Sequence, residues 1–245
     1  MMSKQEEYYL AICNIEKAVY EKENGHIKEV AHQMAVTMKN KGMIYIFGCG
    51  HSHILAEEAF YRAGGLVRVS PIFDSAIMLH EGAVKSSRME RLEEYGDWIF
   101  DRQTIKKNDL LFVFSTSGIN GCPIEVAKRA KTSALAKVVA VTSLAYYKKE
   151  KSRHSSGKYL ADYADFVIDT HVPHGDALVD YKEKKIAPGS TVICSLIWNM
   201  LISQLPEEGS EISFEPEYFL SGNVEGGFEK NEYYIDKYKN DIRYF

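Results

Sequence analysis

Two stretches of the chain are apolar at every position and then stop at small residues. Met43-Ile44-Tyr45-Ile46-Phe47 runs into Gly48-Cys49-Gly50-His51-Ser52, and Leu110-Leu111-Phe112-Val113-Phe114 runs into Ser115-Thr116-Ser117-Gly118-Ile119-Asn120-Gly121. An unbroken apolar run of this length, bounded by turn residues, predicts a strand buried on both faces. Each is followed by a helical pattern, over residues 54–63 and 123–131, with Pro123 suited to a first helical turn. Shorter strands are predicted at 66–69, closed by Pro71, at 136–143 and at 164–169. Apolar residues at three- and four-residue spacing predict amphipathic helices over 4–23 and 26–39, joined near Asn24-Gly25. Further helices are expected near Ser87, again before Asn108, over 192–205 and over 229–240. The stretch 145–160 reads as a basic polar loop.

The chemistry gathers where the two long strands end. Gly48 and Gly50 let the backbone turn sharply and approach a ligand, and the Ser52 hydroxyl and the free N–H groups of a helix start are donors for an anion. A phosphate is the natural guest. The pattern is not a dinucleotide fingerprint, because the third glycine would fall at His53, and no phosphate-loop G-x-x-x-x-G-K-[ST] occurs. Strands alternating with helices predict a parallel sheet, and in such sheets ligands bind outside the carboxyl ends of the strands. Ser52, Ser115, Thr116 and Ser117 are therefore expected to face one pocket.

Gly48-x-Gly50-x-Ser52 and Ser115-x-Ser117-Gly118 resemble the paired signatures of the SIS (sugar isomerase) domain, a phosphosugar-binding module, over roughly residues 25–205. Phosphoheptose isomerase is a more distant relative within that superfamily. The resemblance implies an α/β fold, a three-layer αβα sandwich with about five parallel strands in a Rossmann-like or flavodoxin-like arrangement. It also implies a sugar-phosphate ligand, aldose–ketose isomerisation, and a homodimer or homotetramer. Two alternatives stand beside isomerisation: a non-catalytic sugar-phosphate sensor, and an amino-sugar phosphate lyase or deaminase. The sequence departs from the pattern at Asn120, where a hydroxyl residue is common. It departs again at Glu58 and Arg62, which align with the active-site His and Glu of phosphoheptose isomerase.

Composition narrows the picture without changing it. The formal net charge of −4 and the interspersed Lys and Arg argue against nucleic acid as a partner. No run approaches the roughly 18 apolar residues of a membrane span, and the polar start is unlike a signal peptide. Four scattered cysteines without a C-x-x-C pair predict a reduced cytoplasmic protein with no cysteine zinc site. No cofactor is expected. Residues 1–245 are read as one domain, with 206–245 an aromatic, acidic extension that docks on the core or on a neighbouring protomer.

For acid–base work the reading selects His80 and Glu81, in a polar connection at the carboxyl edge of the sheet, as a titrating pair whose carboxylate is partly desolvated over the sugar. His174 is the second catalytic candidate, and Gly50 and Asp176 are placed with the serines in the binding shell. His171, His174 and Asp176 have a spacing that suits a metal as well as a sugar pocket, and the pocket is the reading adopted. The helix from Ser52 carries Ile54 and Tyr61 opposite its core face, which predicts a subunit contact there.

Overall fold

A computed structural model describes residues 2–245. The main sheet holds β1 (Ile44–Gly48), β2 (Val69–Pro71), β3 (Leu110–Phe114), β4 (Lys137–Thr142) and β5 (Phe166–Asp169), all parallel, in the order β2-β1-β3-β4-β5. Because side chains alternate across a strand, each fully apolar run serves two cores. Ile44, Ile46, Phe112, Phe114, Val139 and Val141 face one layer, which holds α1 (Lys4–Lys39), α2 (Ile54–Ala59) and part of a later helix. Tyr45, Phe47, Leu111, Val113, Val138 and Ala140 face the other. The result is the three-layer αβα sandwich.

The remaining helices are α3 (Ala83–Met89), α4 (Glu93–Asp101), α5 (Gly121–Thr132), α6 (Ser190–Glu211) and α7 (Gly227–Tyr238). Apolar residues of α4, α5 and α7 fill the second layer, whereas Ile193, Ile197, Trp198 and Leu201 of α6 pack with α1 in the first. An antiparallel hairpin, β6 (Ala177–Tyr181) with β7 (Lys184–Pro188), precedes α6 and was not legible in the sequence.

Several boundaries differ from expectation for identifiable reasons. The two N-terminal helices are one. Gly25 lies on the exposed face, where it costs only about 1 kcal/mol relative to alanine, and burial of Val19, Ile27 and Val30 on either side offsets that cost. Helix α6 runs past Leu205 and through Pro206. A proline leaves the carbonyl four residues earlier without its helical donor; here the Tyr218 hydroxyl donates to the Ile202 carbonyl at 2.9 Å instead.

The predicted strand at 66–69 shifts to β2 because its first half is engaged elsewhere. The N–H groups of Gly64 and Val67 donate to the carbonyls of Phe219 and Glu217, and that of Phe219 to Gly65. Residues 206–245 thus dock on their own chain. Phe219 and Phe245 also lie against Tyr61, at ring-centroid distances of 5.1 and 6.1 Å. The helix from Ser52 ends at Ala59, so Tyr61 leaves the helical stripe and finds its partners within the chain. Tyr61 nevertheless stays 52% exposed.

Candidate active site at the sheet switch point

The chain passes from β1 to β2 on one side of the sheet and reaches β3 on the other, so the ends of β1 and β3 form the topological switch point. Gly48, the last residue of β1, stands in register with Phe114, the last of β3. The two signature loops therefore leave the sheet side by side. Ligands of open α/β sheets bind at this position.

The first loop is a single 3-10 turn, Gly50–His53, leading directly into α2. Gly48 permits it: a Cβ there would stand 2.4 Å from the Ser52 carbonyl oxygen, far inside contact distance. Gly50 has φ +58°, in the left-handed region. Ser52 spends its N–H on the Cys49 carbonyl at 3.0 Å, while its half-buried hydroxyl has no partner among the described residues. His53 is buried and structural, with Nδ1 2.9 Å from the Gly50 carbonyl oxygen and Nε2 2.8 Å from Glu57 Oε1.

The second loop is braced by its own hydrogen bonds and by the connection that follows β4. Ser115 Oγ accepts from the Gly118 N–H at 3.3 Å, and the Thr116 carbonyl accepts from the Ser143 N–H at 2.9 Å. The connection between β4 and β5 holds the rest. The Arg153 and Leu160 N–H groups donate to the Ile119 and Gly118 carbonyls, and the Arg153 guanidinium donates to Asn120 Oδ1 at 2.5 Å. The hydroxyls of Thr116 and Ser117 are half-buried and without protein partners among the described residues, and α5 begins immediately beyond at Gly121. Ser52, Thr116 and Ser117 thus supply free hydroxyls beside a helix N-terminus, a donor set fit for a phosphate. Ser115 Oγ accepts from Gly118, which shapes the loop and leaves its own proton free to donate.

A half-buried carboxylate, Glu90, lies beside these loops and was not among the residues expected there. It follows α3 directly, and its carbonyl accepts from the Cys122 N–H at 3.0 Å, which fixes it against the start of α5. Its carboxylate lies beside the first loop: a methyl group on Gly50 would stand 4.0 Å from Glu90 Oε2. Burial pushes the Glu90 carboxyl above its ordinary value, while Arg91, Arg153 and a hydrogen bond with Asn120 pull it partly back. Asn120, where the family pattern often has a hydroxyl, thus connects Arg153 to Glu90. Nothing distinguishes Glu90 from its charged neighbours Arg88, Arg91, Glu93 and Glu94 along the chain. Only the tertiary contact does.

The other candidates have partners of their own. Glu81 is exposed, and a hydrogen bond from Lys85, then one from Ser75, hold its carboxyl below the usual glutamate range. The expected desolvated carboxylate at this position is overturned, because the 3-10 turn Leu79–Glu81 carries it and His80 out into water. His174 has Nε2 2.8 Å from Glu150 Oε1 and its ring 4.8 Å from that of Tyr146, so it braces the connection after β4. Asp176 accepts from the N–H groups of Gly189 and Ser190 at 3.1 and 2.8 Å and from the Ser190 hydroxyl at 2.7 Å. Its carboxylate caps α6, which corrects its placement in a phosphate shell: both oxygens are taken and their charge would repel an anion. His171 pairs with Glu23 at 2.8 Å, whereas His174 pairs with Glu150. Cys49 and Cys122 bring the two loops together, Sγ to Sγ 3.9 Å. That contact and burial hold the Cys49 thiol well above the ordinary range, so it packs rather than reacts. No helix among the described residues is long and apolar enough to cross a membrane.

A sequence model of the SIS domain matches residues 7–143, more than half of the chain. A UPF0309 protein of Geobacillus thermodenitrificans is 45% identical over 239 residues, covering 97% of this chain and 96% of its own. Another, of Caldanaerobacter subterraneus, is 45% identical over 244 residues, covering 98% and 97%. Among solved structures, phosphoheptose isomerase GmhA of Neisseria gonorrhoeae aligns with a TM-score of 0.55 at 17% identity, over 82% of this chain and 95% of that one. A phosphoheptose isomerase of Francisella tularensis aligns at 0.52 and 15%, over 84% and 100%. At such identities the structures speak for the shared fold alone.

Proposed function

The chain belongs to the SIS domain family and resembles its UPF0309 members along nearly its whole length, and from that premise we propose that it binds a sugar phosphate at the β1/β3 switch point and isomerises it between aldose and ketose. The observation that carries the reading is the pairing of free donors with a desolvated acid. Ser52, Thr116 and Ser117 offer unpaired hydroxyls for the phosphate, and the half-buried Glu90 stands beside Gly50. Isomerisation needs one base to take a proton from C2 and return it to C1, and a carboxylate whose pKa is displaced toward neutrality suits that task. Glu90 takes the place first given to Glu81.

Proton exchange tests the reaction class directly. Incubated with the protein in deuterated buffer, a sugar phosphate that binds exchanges its C2 proton, seen by NMR. Binding without exchange across the sugar phosphates that bind would overturn isomerisation in favour of the sensor reading.

The anchor has its own test. Ser52→Ala and Ser117→Ala each remove a donor to a charged oxygen, worth about 1.5–3 kcal/mol, and so weaken sugar-phosphate binding roughly tenfold or more. Calorimetric titration reads the change, and full affinity in both variants refutes the assignment. We also read the assembly as a homodimer or homotetramer. Tyr9 and Tyr20, 65% and 63% exposed, lie about three turns apart on one face of α1, where a second copy would cover them. Sedimentation equilibrium at micromolar concentration that yields only monomer rejects this.

A further inference from the structure

Two clusters of metal-ligand side chains occur among the described residues: Glu93 with Glu125 and His154, and His32 with Glu208 and Glu211. The first is already satisfied. Lys128 donates to both Glu125 oxygens at 3.0 and 2.8 Å, His154 lies 2.7 Å from Glu125, and Ser155 donates through its hydroxyl to Glu93 at 2.7 Å. An ammonium holds the place a metal would take.

The second cluster lacks that cation. Glu208 and Glu211 are three residues apart in the last turn of α6 and so share one face, toward which His32 projects from α1. Carboxylates are unfavourable at a helix C-terminus, whose free carbonyls carry partial negative charge, and α6 has no basic residue in its last turn. Glu208 is also largely buried, its side chain only 12% exposed. Its Oε1 accepts from Gln204 at 3.1 Å, but its Oε2 receives no hydrogen bond among the described residues, and His32 Nδ1 lies 3.4 Å from it. The nearby Lys39 ammonium donates to the Ile212 carbonyl rather than to either carboxylate. A buried carboxylate with one idle oxygen and a second carboxylate beside it call for positive charge, and among the described residues His32 is the one titratable base paired with them.

We propose that His32, Glu208 and Glu211 bind a divalent first-row transition-metal ion, which pins the end of α6 to α1. One imidazole nitrogen and two carboxylate oxygens suit Zn2+ or Mn2+, and the exposure of His32 and Glu211 leaves room for water to complete the shell. The site lies outside the switch-point loops, so its role is structural and independent of the sugar-phosphate reading.

Untagged protein, stripped with chelator, is titrated with Zn2+, Mn2+ and Co2+, following heat by calorimetry, melting temperature, and for Co2+ the visible ligand-field absorption. One equivalent binds to the wild type, raises its melting temperature and gives Co2+ a histidine–carboxylate spectrum. His32→Asn and Glu208→Gln, both close in size to the native residue, each lower the affinity at least tenfold and remove the melting shift. Glu93→Gln and His26→Ala leave both intact. No binding at millimolar metal, equal affinity in His32→Asn, or loss of binding in Glu93→Gln would each overturn the site.

Discussion

Glu90→Gln is expected to lower sugar-phosphate turnover by a hundredfold or more, and C2 proton exchange with it, since a positioned acid–base group contributes roughly 10²–10⁴-fold. The phosphate donors are untouched by the change, so KM moves little and the loss falls on kcat. The pH profile separates this role from a structural one. The base works deprotonated, and burial raises the Glu90 carboxyl, so the acid limb of wild-type kcat/KM lies above the ordinary glutamate value of 4.5.

Stability responds in the opposite sense. A carboxyl whose pKa is raised in the folded state favours folding below its unfolded value, and that contribution is lost as pH rises through the folded one. Glutamine mimics the protonated form, so the variant melts no lower than wild type at pH 7, and the lost turnover is not a lost fold. Wild-type turnover in Glu90→Gln, or an acid limb at the ordinary glutamate position, refutes the assignment.

Trp198→Ala carries the largest expected effect on stability. The indole is 1% exposed and meets the ring of Phe112 edge-on, 5.6 Å between centroids and 90° between planes. Phe112 lies in the middle of β3, the strand that leads into the Ser115 loop. Removing a buried tryptophan leaves a cavity that close-packed neighbours fill only in part, at a cost of about 3–5 kcal/mol. At about 2–4 °C per kcal/mol for a chain of this size, the midpoint of thermal unfolding falls by about 6–20 °C. Trp98, the other tryptophan, is 63% exposed, and Trp98→Ala serves as the control with a shift of a degree or two. Equal melting of the two variants would show that the α6–β3 contact is not where the first layer draws its stability.

Residues close together in the chain determined the central architecture. The unbroken apolar runs at Ile44–Phe47 and Leu110–Phe114 announced strands buried on both faces, because a residue pair of either parity must then find a core. The glycines and hydroxyls that end those runs marked the loops, because a Cβ at Gly48 is incompatible with the turn and small hydroxyl residues at a strand end are donors that no local structure uses. Asp176, by contrast, was misplaced because its partners Gly189 and Ser190 lie beyond a hairpin that periodicity did not reveal. Glu81 and Glu90 are both glutamates in one polar connection, with nothing along the chain to rank them. The fold turns one toward Lys85 and water and sets the other against Gly50 and Asn120, and it is burial beside those loops, a property of distances between remote residues, that makes Glu90 the stronger base.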